Sequence, residues 1–188
     1  YENYMRVTYV GVNRYFVTYG VAQLSKDEFC CGDSQAYFQY KDEKYFLISD
    51  GMGSGYKAKE ESKSTIASFQ KIIETGVNPK TAIKTINSIL KLRHKEDFFS
   101  TLDILKIHES NGKASITKTC APSTFYYHNN MIQEIDSYSL PVGIVDEVEA
   151  YDYVFKIEKN DILVMSSDGF KIEREELEKI LYEMKKEP

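Results

Sequence analysis

Between Thr101 and Ile135 the chain carries two strand–turn–strand units in direct succession, and this constrains its fold more than any other feature. Thr101 to His108 and Lys113 to Thr119 flank Asn111-Gly112, and Thr124 to Tyr127 and Met131 to Ile135 flank Asn129-Asn130. Asn and Gly tolerate the positive φ that tight hairpin turns demand, so both pairs signal hairpins. Hairpins commit neighbouring strands to antiparallel pairing. A doubly wound parallel sheet would need a helix between successive strands, and here none fits.

The upstream half agrees. Gln35 to Tyr40 and Tyr45 to Ser49 read as a hairpin turning over Lys41-Asp42-Glu43-Lys44. Val7 to Val21, rich in Tyr, Val, Phe and Thr and broken at Gly11-Val12-Asn13-Arg14, reads as an earlier one. A helix is expected from about Lys57 to Thr75, stopped by Gly76, with Ile66, Phe69 and Ile73 on its buried face. Its first half, Lys57 to Ser64, is polar apart from Ala58 and reads as a solvated face. Asn78-Pro79 caps and starts a second helix with Ala82, Ile83, Ile86, Ile89 and Leu90 as its apolar stripe. Leu140 to Ile144 reads as a rigid loop, Tyr153 to Ile157 and Ile162 to Ser166 as strands, and Glu173 to Lys186 as a charged terminal helix. Strands, two helices, strands, helix: that order suits an α+β sandwich with antiparallel sheets face to face and helices outside.

The totals exclude several classes. At 188 residues, 42% hydrophobic and 28% charged, the chain reads as one globular domain, residues 1–188. A net charge of -5 gives no electrostatic reason to expect nucleic acid or an anionic membrane as partner. Cys30, Cys31 and Cys120 are odd in number and lack a Cys-x-x-Cys, so a reducing compartment and no disulfide scaffold are expected. His94, His108 and His128 lack zinc-ligand spacing. The chain opens at Tyr1 without Met or a signal-peptide pattern, which reads as a domain cut from a longer protein.

Chemistry enters through an echo. Tyr45 to Ile48 runs into Ser49-Asp50-Gly51-Met52-Gly53-Ser54-Gly55, and Ile162 to Met165 runs into Ser166-Ser167-Asp168-Gly169. One Ser-Asp-Gly is ordinary turn material. Two at the ends of apolar strands place carboxylates where buried strands surface, and a pair that met would make an all-oxygen site for divalent cations. The glycine spacing, Gly51-x-Gly53-x-Gly55, lacks the last interval of the dinucleotide fingerprint, and Asp50 would repel a pyrophosphate. A metal-stabilised nucleotide sensor is therefore the weakest reading.

The stretch from Gly32-Asp33-Ser34 through Ser49 to Gly55 resembles the phosphatase domains of the stage II sporulation protein E family, 2C-type metal-dependent serine/threonine phosphatases. The resemblance continues through Ala82 to Leu90, Ser100-Thr101-Leu102-Asp103, Ala121-Pro122-Ser123, Leu140 to Ile144 and Ser167-Asp168-Gly169, over roughly residues 20 to 170. It implies a central β-sandwich flanked by helix pairs (α-β-β-α). It also implies that Asp50 bridges two Mn²⁺ or Mg²⁺ ions with help from the Gly51 carbonyl. By the same resemblance Asp168 would ligate the second ion and Asp33 would hold the first, through water. It makes Asp50 and Asp168 the expected catalytic carboxylates, activating water for hydrolysis of a phosphoserine without a covalent intermediate. The implied substrate is a phosphorylated anti-anti-sigma factor whose dephosphorylation releases a sporulation sigma factor. The implied setting is cytoplasmic, as the cytosolic domain of a membrane-anchored parent.

Family members carry a further aspartate in an Asp-Asp-Met-Thr-like stretch, which this sequence lacks; Glu173, Glu175, Glu176 and Glu178 do not match it. One strong and one weak metal site, with slow hydrolysis, is therefore expected of these residues. The alternative is an impaired pseudo-phosphatase serving as a binding or dimerisation module. The sharper reading of Lys57 to Ser64 is a helix start free to move, with Ile66, Phe69 and Ile73 as the face of a switch linking a partner or a homodimer to metal occupancy.

Overall fold

A computed structural model describes residues 12–24, 31–53, 55–92 and 99–185. Val7 to Gly11, Cys30, Ser54, His94 and Lys186 lie outside them. Strands β1 (Asp33–Tyr40) and β2 (Glu43–Asp50) are followed by helices α1 (Gly55–Glu74) and α2 (Pro79–Leu92). Then come β3 (Leu102–His108), β4 (Lys113–Thr119), β5 (Thr124–His128), β6 (Met131–Ile135), β7 (Tyr151–Lys156), β8 (Ile162–Val164) and helix α3 (Arg174–Met184).

Local chemistry sets these boundaries. Asn78 Oδ1 accepts from the Thr81 amide at 3.0 Å, capping α2 directly before Pro79. Gly76, at φ 91°, ends the α1 segment in the left-handed conformation that glycine adopts without penalty. Asn129 and Asn130, at φ 51° and 62°, form the two-residue turn between β5 and β6.

Among the described residues every pairing is antiparallel, in a five-stranded sheet ordered β1-β2-β3-β4-β7 and a three-stranded sheet ordered β6-β5-β8. Period-two alternation sends β3 side chains into two cores. Leu102 and Ile104 join Leu47, Ile66, Phe69, Ile73, Ile83 and Leu90 beneath α1 and α2. Leu105 and Ile107 join Ile116, Tyr126 and Ile135 between the sheets. On the far side Tyr127 and Ile132 pack against Leu177 and Leu181 of α3. The layers run α-β-β-α, with α1 and α2 on one flank and α3 on the other.

Three local expectations fail. Residues 12–24 contain no strand; this part of the expected first hairpin is instead tied to Glu109. The Glu109 carbonyl accepts from the Arg14 and Tyr15 amides, and its carboxylate takes Asn13, the Val17 amide and Lys44. Those bonds use the backbone donors a strand ladder would need. The first half of α1 is not a solvated face either, because Ala58, Glu61, Ser62 and Thr65 are buried. In α2 Asn87 is buried while Ile89 is partly exposed, so the stripe is not purely apolar.

Candidate metal centre

The β1–β2 register places Asp33 directly opposite Asp50 at the open end of the hairpin. Like charges facing each other across a strand pair repel, so this end of the sheet favours a bound cation. Paired residues share a face; Asp33 and Asp50 therefore lie on the side of Ile48 and Phe46, toward the second sheet.

The backbone around Asp50 is held from several directions. Its amide donates to Thr101 Oγ1 at 2.9 Å, and its carbonyl accepts from the Thr101 amide at 2.9 Å and from Ser100 Oγ at 3.0 Å. Ser49 Oγ lies 2.6 Å from Ser100 Oγ and donates to the Thr101 carbonyl at 2.7 Å. Gly51 bridges to Ser100, which bridges in turn to Val142 of the Leu140 to Ile144 loop. That loop is clamped by buried Asn87, whose Oδ1 accepts from the Gly143 amide at 2.8 Å while Nδ2 donates to the Val145 carbonyl at 3.0 Å.

Gly51 is required for space. A Cβ there would stand 1.9 Å from the Ala58 carbonyl oxygen, inside the backbone of α1. Gly32 borders a small cradle: a Cβ on it would lie 3.6 Å from both Asp50 Oδ1 and the Gly51 carbonyl oxygen. Two carboxylates and one carbonyl, all hard oxygen donors, are the donor set that a divalent cation such as Mg²⁺ or Mn²⁺ takes.

The second Ser-Asp-Gly reaches the first through its serine. Ser167 Oγ donates to Asp33 Oδ2 at 2.6 Å, bringing the loop after β8 to the hairpin end. Asp168 is exposed on the adjoining turn. Among the described residues no three His, Cys, Asp or Glu side chains gather as a ready cage. Of the expected ligands, Asp33, Asp50 and Gly51 are thus brought together, with Asp168 one residue from the contact. Ile66, Phe69 and Ile73 lie in the core under the first sheet, among Leu47, Leu102 and Ile104.

The polar half of α1 faces this site. Ser62 Oγ donates to the Gly32 carbonyl at 2.6 Å and lies 2.7 Å from Ser34 Oγ, while Lys59 Nζ donates to the Asp33 carbonyl at 2.7 Å. Sequence reasoning missed Ser62, Thr101 and Asn87 because small polar residues in helices and strand ends carry no periodic signal; the resemblance marked only the stretches holding Thr101 and Asn87, and the polar run Lys57 to Ser64 the one holding Ser62. Between the sheets it also missed Asp103 and Lys118, a pair with side chains 1% and 0% exposed. Burial pushes the Asp103 carboxyl up and the Lys118 ammonium down, each opposed by attraction to the other.

The model of the family "Stage II sporulation protein E (SpoIIE)" matches residues 41–187, from the turn before β2 through α3. The chain belongs to the SpoIIE family. It is 35% identical over 170 residues to the stage II sporulation protein E of Priestia megaterium, an alignment covering 89% of this chain and 29% of that protein. It is 22% identical over 162 residues to the phosphoserine phosphatase RsbU of Bacillus subtilis, covering 81% of this chain and 48% of that one. The solved PP2C phosphatase domain of SpoIIE from Bacillus subtilis, with a fragment of its regulatory domain, superposes with a TM-score of 0.68 at 33% identity. That match covers 84% of this chain and 47% of the solved one. The fold is therefore that of a PP2C phosphatase domain, and this SpoIIE-family chain spans less than a third of the megaterium protein's length. Among the described residues no helix is long and apolar enough to cross a membrane.

Proposed function

We propose that this SpoIIE-family chain is a metal-dependent phosphoserine phosphatase domain whose catalytic carboxylates are Asp50 and Asp168. The observation that carries the reading is the direct opposition of Asp33 and Asp50 beside the Gly51 carbonyl, with Ser167 bonded to Asp33. Asp50 and the Gly51 carbonyl would anchor Mn²⁺ or Mg²⁺, Asp33 would help hold that ion, and Asp168 would serve a second. Cations held there supply the Lewis acidity that hydrolysis at phosphorus requires. The protein's part is positional. Thr101 and Ser100 fix the Asp50 backbone, Ser167 orients the Asp33 carboxylate, and α1 presses on Gly51 so that its carbonyl stays in the cradle.

The substrate class we assign is a phosphoserine on a small regulatory protein of the anti-anti-sigma type, within sporulation sigma-factor control; the family and the phosphoserine phosphatase relative support it. We further propose that the parent protein is longer, membrane-anchored and faces the cytoplasm with this domain. A homodimer is the activating state we assign. The second reading, a pseudo-phosphatase acting as a binding module, is favoured by one observation: no third carboxylate joins Asp33 and Asp50 in a common cluster among the described residues.

Manganese-dependent hydrolysis of p-nitrophenyl phosphate and of a phosphoserine protein decides between them, measured on this chain, on a chain extended past Pro188, and on Asp50→Asn in each. Activity that Asp50→Asn abolishes supports the phosphatase. Inactivity of both lengths with Mn²⁺ present would falsify it in favour of the binding module.

A further inference from the structure

We propose that Asp103, Lys118 and Thr124 form a buried polar spacer that positions the Asp168 loop against the Asp33–Asp50 hairpin, a role that rests on the metal-centre reading above. Asp103 and Lys118 face each other in register across β3 and β4. Lys118 Nζ lies 2.5 Å from Asp103 Oδ2 and donates to Thr124 Oγ1 at 2.7 Å, and Thr124 Oγ1 donates to the same Asp103 oxygen at 2.8 Å. Thr124 opens β5 in the other sheet, so this closed triangle joins the two sheets on the face of β3 that carries the core residues Leu105 and Ile107.

Stability does not call for charges there. Ions taken out of water lose hydration that their attraction recovers only with good geometry, and packed apolar replacements often do as well. Asp103 Oδ1 is in addition buried without a hydrogen-bond partner. What three mutually bonded polar groups supply is a fixed distance and direction between the sheets.

The height of the triangle in the sandwich gives that distance its use. Asp103 pairs with Ile48, two residues before Asp50 on the same face, and stands two residues after Thr101, which holds the Asp50 backbone. On the opposite sheet Phe125, next to Thr124, pairs with Val164 at the end of β8. Three residues on, Ser167 bonds to Asp33. The spacer therefore stands beneath Asp50 on one side and beside the strand that delivers Asp168 on the other. Shortening or loosening it displaces the Ser167 contact first.

The test compares three variants in metal-free protein by amide hydrogen exchange, followed by Mn²⁺ calorimetry. D103L/K118M replaces the triangle with apolar groups of similar bulk. Thr124→Val cuts only the link to β5. D103N/K118Q is neutral but keeps an amide able to bond Thr124. In the first two, amides of residues 166–170 are expected to exchange on the order of tenfold faster while those of β3 and β4 stay protected. Mn²⁺ affinity is expected to fall by on the order of tenfold, as for groups that orient metal ligands. D103N/K118Q should retain protection at 166–170. Unchanged exchange at 166–170 in both D103L/K118M and Thr124→Val overturns the proposal, and so does faster exchange spread evenly over all strands, which marks a merely structural pair. Because exchange is read without metal, a protein inactive on phosphate still tests the spacer, and that inactivity counts against the phosphatase reading alone.

Discussion

At the scale of single residues, Gly51 carries the most constraint in the candidate centre. Its α carbon lies so close to α1 that any side chain meets the Ala58 carbonyl at 1.9 Å, a contact only backbone movement can relieve. Gly51→Ala is therefore expected to push the helix off the hairpin end and turn the Gly51 carbonyl out of its cradle. Core-overpacking costs of about 1–3 kcal/mol set the scale of the destabilisation. Urea unfolding with and without Mn²⁺ checks this: the variant should lose stability in EDTA and gain nothing from the metal. Gly53, at φ 110°, has open space around the position of a Cβ, so its constraint is conformational and not steric. The sequence marks both as glycines in a loop. It does not say which one another backbone touches, because the touching atom lies seven residues away in a helix.

Among the elements, α1 is the one whose reading changed. Its periodic apolar residues, Ile66, Phe69 and Ile73, were legible and are buried. Its first half had few apolar anchors, which made a mobile start plausible, and the structure supplies polar anchors in their place. Ser62 alone reaches the Gly32 carbonyl and Ser34. A switch in α1 therefore has to break these bonds as well as slide on the core face. Ser62→Ala is expected to cost about 1–3 kcal/mol, as for a buried hydrogen-bonded group that leaves its partners unsatisfied. It should also raise the Mn²⁺ concentration needed for half-maximal hydrolysis. Ile66→Val and Ile73→Val, at about 0.5–1.5 kcal/mol each, should shift the same metal response without touching a ligand. Equal activity across this series at all Mn²⁺ concentrations would remove the switch. The turns were legible for the opposite reason. Asn129-Asn130 and Asn78-Pro79 act within four residues of themselves, so their chemistry needs no knowledge of the fold.

For the whole molecule, the two sheets meet where Ser167 bonds to Asp33, and on the proposed reading that rim would link metal binding to folding. A ligand that binds only the folded state at one hundred times its Kd adds about 2.7 kcal/mol, which for a domain of this size raises Tm by roughly 5–11 °C. Mn²⁺ should produce such a shift in this chain and none in Asp50→Asn, as followed by differential scanning calorimetry. A shift of equal size in both would place the cation elsewhere.

Hairpin turns, helix caps and alternation were enough to give antiparallel sheets, the helix order and the aspartates at strand ends, because those signals act between near neighbours in the chain. The echoed Ser-Asp-Gly marked two strand ends, and the fold joins them through the Ser167 to Asp33 hydrogen bond. Register decided that Asp33 faces Asp50, and sheet-on-sheet packing decided that Ser167, not Asp168, makes the contact between the two halves. Packing also turned residues 12–17 from a strand into a segment knotted on Glu109, and put Asn87, Asp103 and Lys118 inside. Such groups are buried only because partners distant in sequence satisfy them, and a polar side chain carries no mark of a partner it has yet to meet.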